Sequence, residues 1–214
     1  MPPSIILAII GVETRYGKNK GSYRVIDALS TLAFEYPKRS PFFTAELEQY
    51  LLLTQEENID PLSIKGSYAG AMGTPQFMPS SYRQYAVDFV GDGKRNLWTN
   101  DADAIGSVAN YFKAKGWKTG HAVAFPALLS NQAIANKEND VTLSTTVGDL
   151  KKQGVKINAV VNSDEKATLL VYENEKGKEY WVGLNNFYVI TRYNRSPLYA
   201  LAVYQLSQEF SKKL

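Results

Sequence analysis

A chain of 214 residues, 44% hydrophobic and 21% charged, has room for one buried core, or a core with a small lobe, and is too apolar for disorder. Its net charge of +3 allows an anionic partner without demanding one, and no basic stripe of the kind that reads nucleic acid is present. With no cysteine and the single histidine His121, disulfide frameworks, thiolate chemistry and histidine-rich zinc sites are excluded.

The apolar run Ile5 to Val12 is too short to span a bilayer and lacks a basic stretch before it, so it reads as a core helix; an export signal is not in this chain. Ser4, after Pro2 and Pro3, is the expected cap and Gly17 the expected stop. Val25 to Phe34 reads as a second helix. Phe42 to Glu57 reads as a third, with Phe43, Leu47, Tyr50, Leu51 and Leu53 as its apolar stripe. A Gly-rich stretch, Gly66 to Gly73, leads to Pro75 and Pro79. Ser80 to Val87 is a short helix, Asp88 to Asn96 a polar loop, and Asp101 to Lys115 a helix presenting Ile105, Val108 and Phe112. Val147 to Gln153 predicts a short helix. Thr168 to Tyr172 and Glu179 to Val182 flank the turn Glu175-Lys176-Gly177 as a hairpin. Ser196 and Pro197 open a last amphipathic helix through Phe210. The expected fold class is mainly α (α+β). It has a helical core over residues 1–120, a small mixed α/β lobe over 121–190, and a C-terminal helix over 191–214 returning to the core.

Glu13 is the residue that breaks the pattern. On a helix it shares a face with Ile6, Ile9 and Ile10. Poor solvation there disfavours the carboxylate and raises its pKa, as a general acid near neutral pH requires. Periodicity alone leaves open that Glu13 sits at the helix end facing water or pairs with Arg15. Glycoside cleavage normally uses two carboxylates, and no second acid stands out: Asp27 and Glu35 sit where a surface helix carries charge. A one-carboxylate mechanism stays open.

The string Ile9-Ile10-Gly11-Val12-Glu13-Thr14-Arg15-Tyr16-Gly17 resembles the catalytic-glutamate motif of the membrane-bound lytic transglycosylase B family. Ser67 through Tyr82 resembles its second signature, and Asn186 through Asn194 its third, in the same order. The resemblance implies a lysozyme-like, mainly α fold. It implies cleavage of the β-1,4 bond between N-acetylmuramic acid and N-acetylglucosamine in peptidoglycan. Glu13 would protonate the leaving oxygen, then act as base on the muramoyl C6 hydroxyl, which closes a 1,6-anhydro ring without water. By position, Ser67 and Gln76 match polar residues of the glycan cleft, with turn chemistry as the plainer alternative. Tyr111, Tyr193, Asn194 and Tyr199 match cleft residues near the glutamate, with core packing as the alternative for Tyr111 and Tyr199.

The chain also departs from the family. A sizeable N-terminal portion is absent, so either Met1 begins a fragment or this is a short natural form, and the cleft is then incomplete on one side. The loop Asp88 to Asn96 resembles a degenerate EF-hand-like loop, in which Asp88, Asp92, the Lys94 carbonyl and Asn96 would ligate a calcium or sodium ion. Val90 removes one ligand, and Thr99 stands where a bidentate Glu belongs, so Asp101 or Asp103 would have to substitute. No cofactor is required by the implied chemistry. The implied partners are glycan strands, with other cell-wall enzymes left open; nucleic acid and a membrane span are not expected, and a monomer is. The implied place is the bacterial cell envelope, in the periplasm or at the outer membrane. A hydrolytic muramidase and a non-catalytic peptidoglycan-binding module remain as alternatives. A Ser-His-Asp triad would rest on His121 alone, and Gly70 and Gly73 lack the Lys-Ser/Thr that follows in a phosphate loop.

Overall fold

The computed structural model describes residues 1–130, 140–175 and 177–213, so Lys176 of the expected hairpin turn lies outside it. The chain divides into two units, Pro3–Ala114 and Lys115–Leu214, the latter grouped with Met1–Pro2. The last helix falls within the second unit.

In the first unit, α1 (Pro3–Thr14) is the apolar run. It begins on Pro3 itself, whose missing N–H is no loss at a helix start. Ile5, Ile6, Ile9 and Ile10 are all buried, each stabilising by about 1.5–3 kcal/mol. The helix lies against α5 (Asp101–Ala114). Between them in sequence come α2 (Val25–Glu35), a 3-10 turn at Pro37–Arg39, α3 (Ser40–Glu56) and α4 (Pro79–Tyr85). α2 packs on α3, α3 on α4, and α4 on α5. A two-residue pair, β1 (Tyr23–Arg24) with β2 (Lys65–Gly66), fixes the entry to the Gly-rich loop.

Polar ties hold α3 in this packing. Glu46 is buried and accepts from both the N–H (2.9 Å) and the hydroxyl (2.6 Å) of Ser80, so it satisfies the first turn of α4. Tyr50 is fully buried and donates to the Pro61 carbonyl (2.7 Å); desolvation, then Asp60, pushes its hydroxyl up to about 12. Glu56 and Glu57 at the end of α3 receive Arg83 and Arg95. The hydrogen bond from Arg83 holds the Glu56 carboxyl below its ordinary value.

The second unit carries one antiparallel sheet of order β4-β6-β7-β3-β5. Its strands are β3 (Ala124–Leu129), β4 (Thr145–Thr146), β5 (Val155–Ile157), β6 (Lys166–Asn174) and β7 (Gly177–Gly183). α6 (Val147–Lys152) contributes Val147 and Leu150 to a core with Ala127, Val155, Ala167, Val182 and Leu184. The expected hairpin is β6–β7, paired from Thr168↔Gly183 to Asn174↔Gly177. On the other face Trp181 meets Tyr204 of α8 (Pro197–Ser211) edge-on at 6.2 Å, and the Tyr172 hydroxyl donates to the Pro197 carbonyl (3.0 Å). Ser196 caps α8 as expected, accepting from the Tyr199 N–H (3.2 Å).

Two features were not expected from sequence. β3 contains Pro126, a residue that argues against an inner strand. β5 pairs with β3 only from Ala127 onward, so Pro126 has a partner on the β7 side alone. The third signature forms a helix, α7 (Asn185–Tyr193), anchored by Asn186. That side chain is fully buried; it accepts from the Lys118 N–H (2.9 Å) and donates to the carbonyls of Lys118 (2.8 Å) and His121 (2.9 Å).

Candidate active site

Glu13 stands in the last turn of α1, half-buried, on the face that carries the buried Ile6, Ile9 and Ile10. The helix stops one residue later. Gly17 is not where it stops: Arg15 (φ 50°) and Tyr16 (φ 59°) already turn left-handed, and Gly17 (φ 78°) completes the reversal. Non-glycine residues in this region cost on the order of 1 kcal/mol each or more, so other contacts must hold them. Arg15 N–H donates to the Gly11 carbonyl (3.0 Å) and Tyr16 N–H to the Ile10 carbonyl (3.3 Å). The Tyr16 ring folds back over Gly11, where a Cβ would lie 2.6 Å from its hydroxyl oxygen, so any larger residue there would push the exposed ring aside.

The segment after Glu13 is stitched to the Gly-rich loop. The Thr14 side chain, 1% exposed, donates to the Thr74 carbonyl (2.9 Å), with a longer contact to the Ile10 carbonyl (3.3 Å), and accepts from the Gly17 N–H (3.0 Å). Thr74 N–H in turn donates to the Leu97 carbonyl (2.8 Å). Lys20 adds a second tie, its ammonium donating to the Trp98 carbonyl (2.5 Å). Thr14 and Lys20 were given no role from sequence. Nothing in a period or a spacing marks a hydroxyl or an ammonium whose partners are distant carbonyls.

Within the Gly-rich loop the two expected polar residues are arranged in opposite senses. Ser67 Oγ accepts from the N–H groups of Ala69 (3.2 Å) and Ala71 (3.0 Å), which leaves its proton to be donated elsewhere. Gln76, at φ 52°, donates both amide hydrogens to carbonyls, of Lys20 (3.2 Å) and Gly73 (2.9 Å). Its Oε1 therefore faces away from them as an acceptor. Both side chains are half-buried. Met72 and Phe77 exchange backbone bonds (2.8 and 3.0 Å) that close the loop.

Tyr111, on α5, is 6% exposed. Its ring lies 5.7 Å from Phe77, 5.0 Å from Tyr85 and 5.8 Å from Phe112, so it belongs to an aromatic cluster of the first unit beneath the Gly-rich loop's end. Glu13, Ser67, Gln76 and Tyr111 are thus all parts of the first unit. Tyr193, Asn194 and Tyr199 are parts of the second, at the turn between α7 and α8. Tyr193 and Tyr199 are half-buried, and Asn194 is exposed with its Oδ1 accepting from the Ser196 N–H (3.1 Å).

The loop Asp88 to Asn96 is occupied by its own amides. Asp88 accepts from the N–H groups of Gly91 (2.7 Å), Asp92 (3.2 Å) and Gly93 (2.7 Å). Desolvation pushes its carboxyl up, but these amides and that of Lys94 outweigh it and hold the group below its ordinary value. Asp92 accepts from the Lys94 N–H (3.0 Å), and Asn96 from those of Trp98 (3.1 Å) and Thr99 (3.0 Å). Asp103, a candidate substitute ligand, is fully buried and bridges the N–H groups of Phe89 (2.8 Å) and Asn96 (2.9 Å). Among the described residues no group of three or more His, Cys, Asp or Glu side chains could hold a metal ion.

Comparison with known proteins covers nearly the whole chain. Membrane-bound lytic murein transglycosylase B of Escherichia coli (strain K12) is 50% identical over 208 residues, covering 97% of this chain and 56% of that protein. The chain thus spans little more than half the length of this curated relative. The crystal structure of soluble lytic transglycosylase SltB1 from Pseudomonas aeruginosa is 54% identical and superposes with a TM-score of 0.94, covering 100% of this chain and 71% of the other. Escherichia coli lytic transglycosylase Slt35, solved in complex with calcium, is 50% identical with a TM-score of 0.87, covering 97% and 65%. Pseudomonas aeruginosa SltB3, solved in complex with NAG-NAM-pentapeptide, is 37% identical with a TM-score of 0.81, covering 97% and 56%. The mainly α, lysozyme-like fold with a small β insertion is the fold these structures share with the chain. The model of the transglycosylase SLT domain matches residues 1–208, and it is to this family that the chain belongs.

Proposed function

We propose that this chain is a lytic transglycosylase that cleaves the β-1,4 bond between N-acetylmuramic acid and N-acetylglucosamine in peptidoglycan, with Glu13 as its one acid and base. The observation that carries the reading is the placement of Glu13. It is a carboxyl on the isoleucine face of α1, joined through Thr14 to a loop with an unused donor on Ser67 and an unused acceptor on Gln76. An acetamido group has one carbonyl and one N–H, the complement of that pair. The names of the relatives and the NAG-NAM-pentapeptide bound to one of them support the substrate class.

In this mechanism Glu13 gives its proton to the glycosidic oxygen as the C1–O bond breaks. The N-acetyl carbonyl of the muramoyl unit stabilises the positive charge at C1, so no second carboxylate is needed. Glu13, now a carboxylate, takes the proton of the C6 hydroxyl as that oxygen bonds to C1. The products are a free 4-hydroxyl and a 1,6-anhydromuramoyl end, and Glu13 is again protonated. Ser67 and Gln76 orient the acetamido group; Tyr111 supports the loop from beneath; Tyr193, Asn194 and Tyr199 are glycan contacts from the α7–α8 turn.

We read Asp88 to Asn96 as a self-capped turn, because its carboxylates are taken up by loop amides. No helix among the described residues is long and apolar enough to cross a membrane. The substrate class puts the protein's work in the bacterial envelope, on glycan strands.

The test is Glu13→Gln, which keeps size and removes the transferable proton. General acid-base assistance is worth about 10²- to 10⁴-fold, and one group supplies both halves here, so release of 1,6-anhydromuropeptides from sacculi should fall at least to the upper end of that range. Near-normal activity in the variant would overturn the assignment. So would wild-type products with reducing ends, one water heavier, which would mean hydrolysis. Absence of any cleavage by the wild type would leave the binding module as the surviving reading.

A further inference from the structure

We propose that Thr14 is a positioning residue: its hydroxyl, held between the Thr74 carbonyl and the Gly17 N–H, fixes the helix end that carries Glu13 against the loop that carries Gln76. The inference rests on the reading of Glu13 as acid and base and goes beyond it, since Thr14 touches no substrate.

Three observations converge on this one oxygen. The first is its direction. A hydroxyl on a helix commonly turns back to the carbonyl four residues earlier, and Thr14 has that contact with Ile10 only at 3.3 Å; its shorter bond, 2.9 Å, crosses 60 residues to Thr74. The second is that the oxygen works in both senses, donating to Thr74 and accepting from Gly17 (3.0 Å). The accepted bond closes the left-handed stretch Arg15, Tyr16, Gly17, the most unusual backbone near Glu13. The Thr14 carbonyl also accepts from the Asn19 N–H (2.9 Å), so both polar ends of the residue serve the same reversal. The third is what lies beyond Thr74. Its N–H is fixed on Leu97, and two residues on stands Gln76, locked to Lys20 and Gly73. The hydroxyl is therefore the direct link from the helix end that carries Glu13 to the acetamido-reading loop, beside the more distant Gln76–Lys20 bond. At 1% exposure the hydroxyl is shut off from bulk solvent.

A misplacement of a catalytic group by about 1 Å costs on the order of 10²-fold in rate. The experiment compares Thr14→Val, Thr14→Ser, Thr54→Val and Glu13→Gln for steady-state formation of 1,6-anhydro ends on solubilised glycan strands. Thr14→Val should lower kcat by roughly 10- to 100-fold with little change in KM. Thr14→Ser, which keeps the hydroxyl, should restore kcat to near wild type. Thr54 is the control. It is another buried threonine whose hydroxyl bonds a carbonyl, that of Leu51 (2.9 Å), far along α3 from Glu13 in sequence. Thr54→Val should lose melting temperature as Thr14→Val does and keep its kcat. The proposal is overturned if Thr14→Val keeps wild-type kcat, if its loss matches that of Thr54→Val, or if the loss lies in KM. Should Thr14→Val not fold, Thr14→Ala replaces it under the same criteria. An active Glu13→Gln would overturn the proposed function itself, and this inference with it; an inactive Glu13→Gln beside an unimpaired Thr14→Val would overturn this inference alone.

Discussion

Gln76 shows how far a side chain's chemistry can be settled before any ligand is considered. With both amide hydrogens on the carbonyls of Lys20 and Gly73, the amide cannot flip without setting three oxygens against one another. Gln76→Glu would do just that with one more negative charge. The new carboxyl should keep its proton in the folded state, so its folded pKa lies above its unfolded value. The variant's stability is then nearest to wild type below about pH 4 and is lost as pH rises. At pH 7 the deficit should be about 1–3 kcal/mol, the cost of an unsatisfied buried polar group. Urea unfolding at pH 4 and pH 7 checks this, and an equal deficit at both would refute it. A charge beside isoleucines drew attention to Glu13, but only the family resemblance of its surrounding motif proposed a role for it. Sequence left Thr14, Lys20 and the opposite hydrogen-bonding senses of Ser67 and Gln76 unread. Those depend on which backbone groups the fold brings alongside.

Among the elements, the legible ones were those whose evidence is local. α2, α3, α5, α6 and α8 each carry an apolar stripe or a capping residue within their own span, and the β6–β7 hairpin has its turn in its own sequence. β3 was hidden by Pro126, which is tolerated because β5 ends at Ile157 beside Ala127 and reaches no further. α7 was hidden by the β-branched run Val189-Ile190-Thr191, and is held helical by the tertiary bonds of Asn186 that no local rule contains. The Asp88 to Asn96 loop carries a test of its own. Asp88 accepts from the Gly91, Asp92 and Gly93 amides and Asp92 from that of Lys94, while Asp103 beyond the loop holds those of Phe89 and Asn96, and among the described residues no three acidic side chains converge where an ion could sit. Millimolar calcium should therefore leave the melting temperature unchanged. A functioning site at a hundred times its dissociation constant would add about 2.7 kcal/mol and move the transition by several degrees. A rise of that size would replace the self-capped turn with an ion-binding loop, as the calcium complex of Slt35 invites one to check.

For the molecule as a whole, sequence conveyed a mainly α fold with a small β insertion, but not the strand order of the sheet. That order has a kinetic consequence. β7 has two neighbours of very different origin: β6, across a tight turn, and β3, from far earlier in the chain. Closing a longer loop costs more chain entropy, and hairpins form in microseconds. β6–β7 should therefore assemble early and wait with one rim of β7 bare until β3 arrives. Among the described residues, β5 pairs in the sheet with β3 alone. Pulse-labelled amide exchange during refolding should protect Leu169 to Val171 before Ala127 to Leu129, and simultaneous protection would refute the sequence of events. The bare rim of β7 is then the surface most open to pairing with another chain during synthesis, a hazard of the refolding route that the finished sheet, with three-residue β5 and two-residue β4 as its short edges, no longer displays.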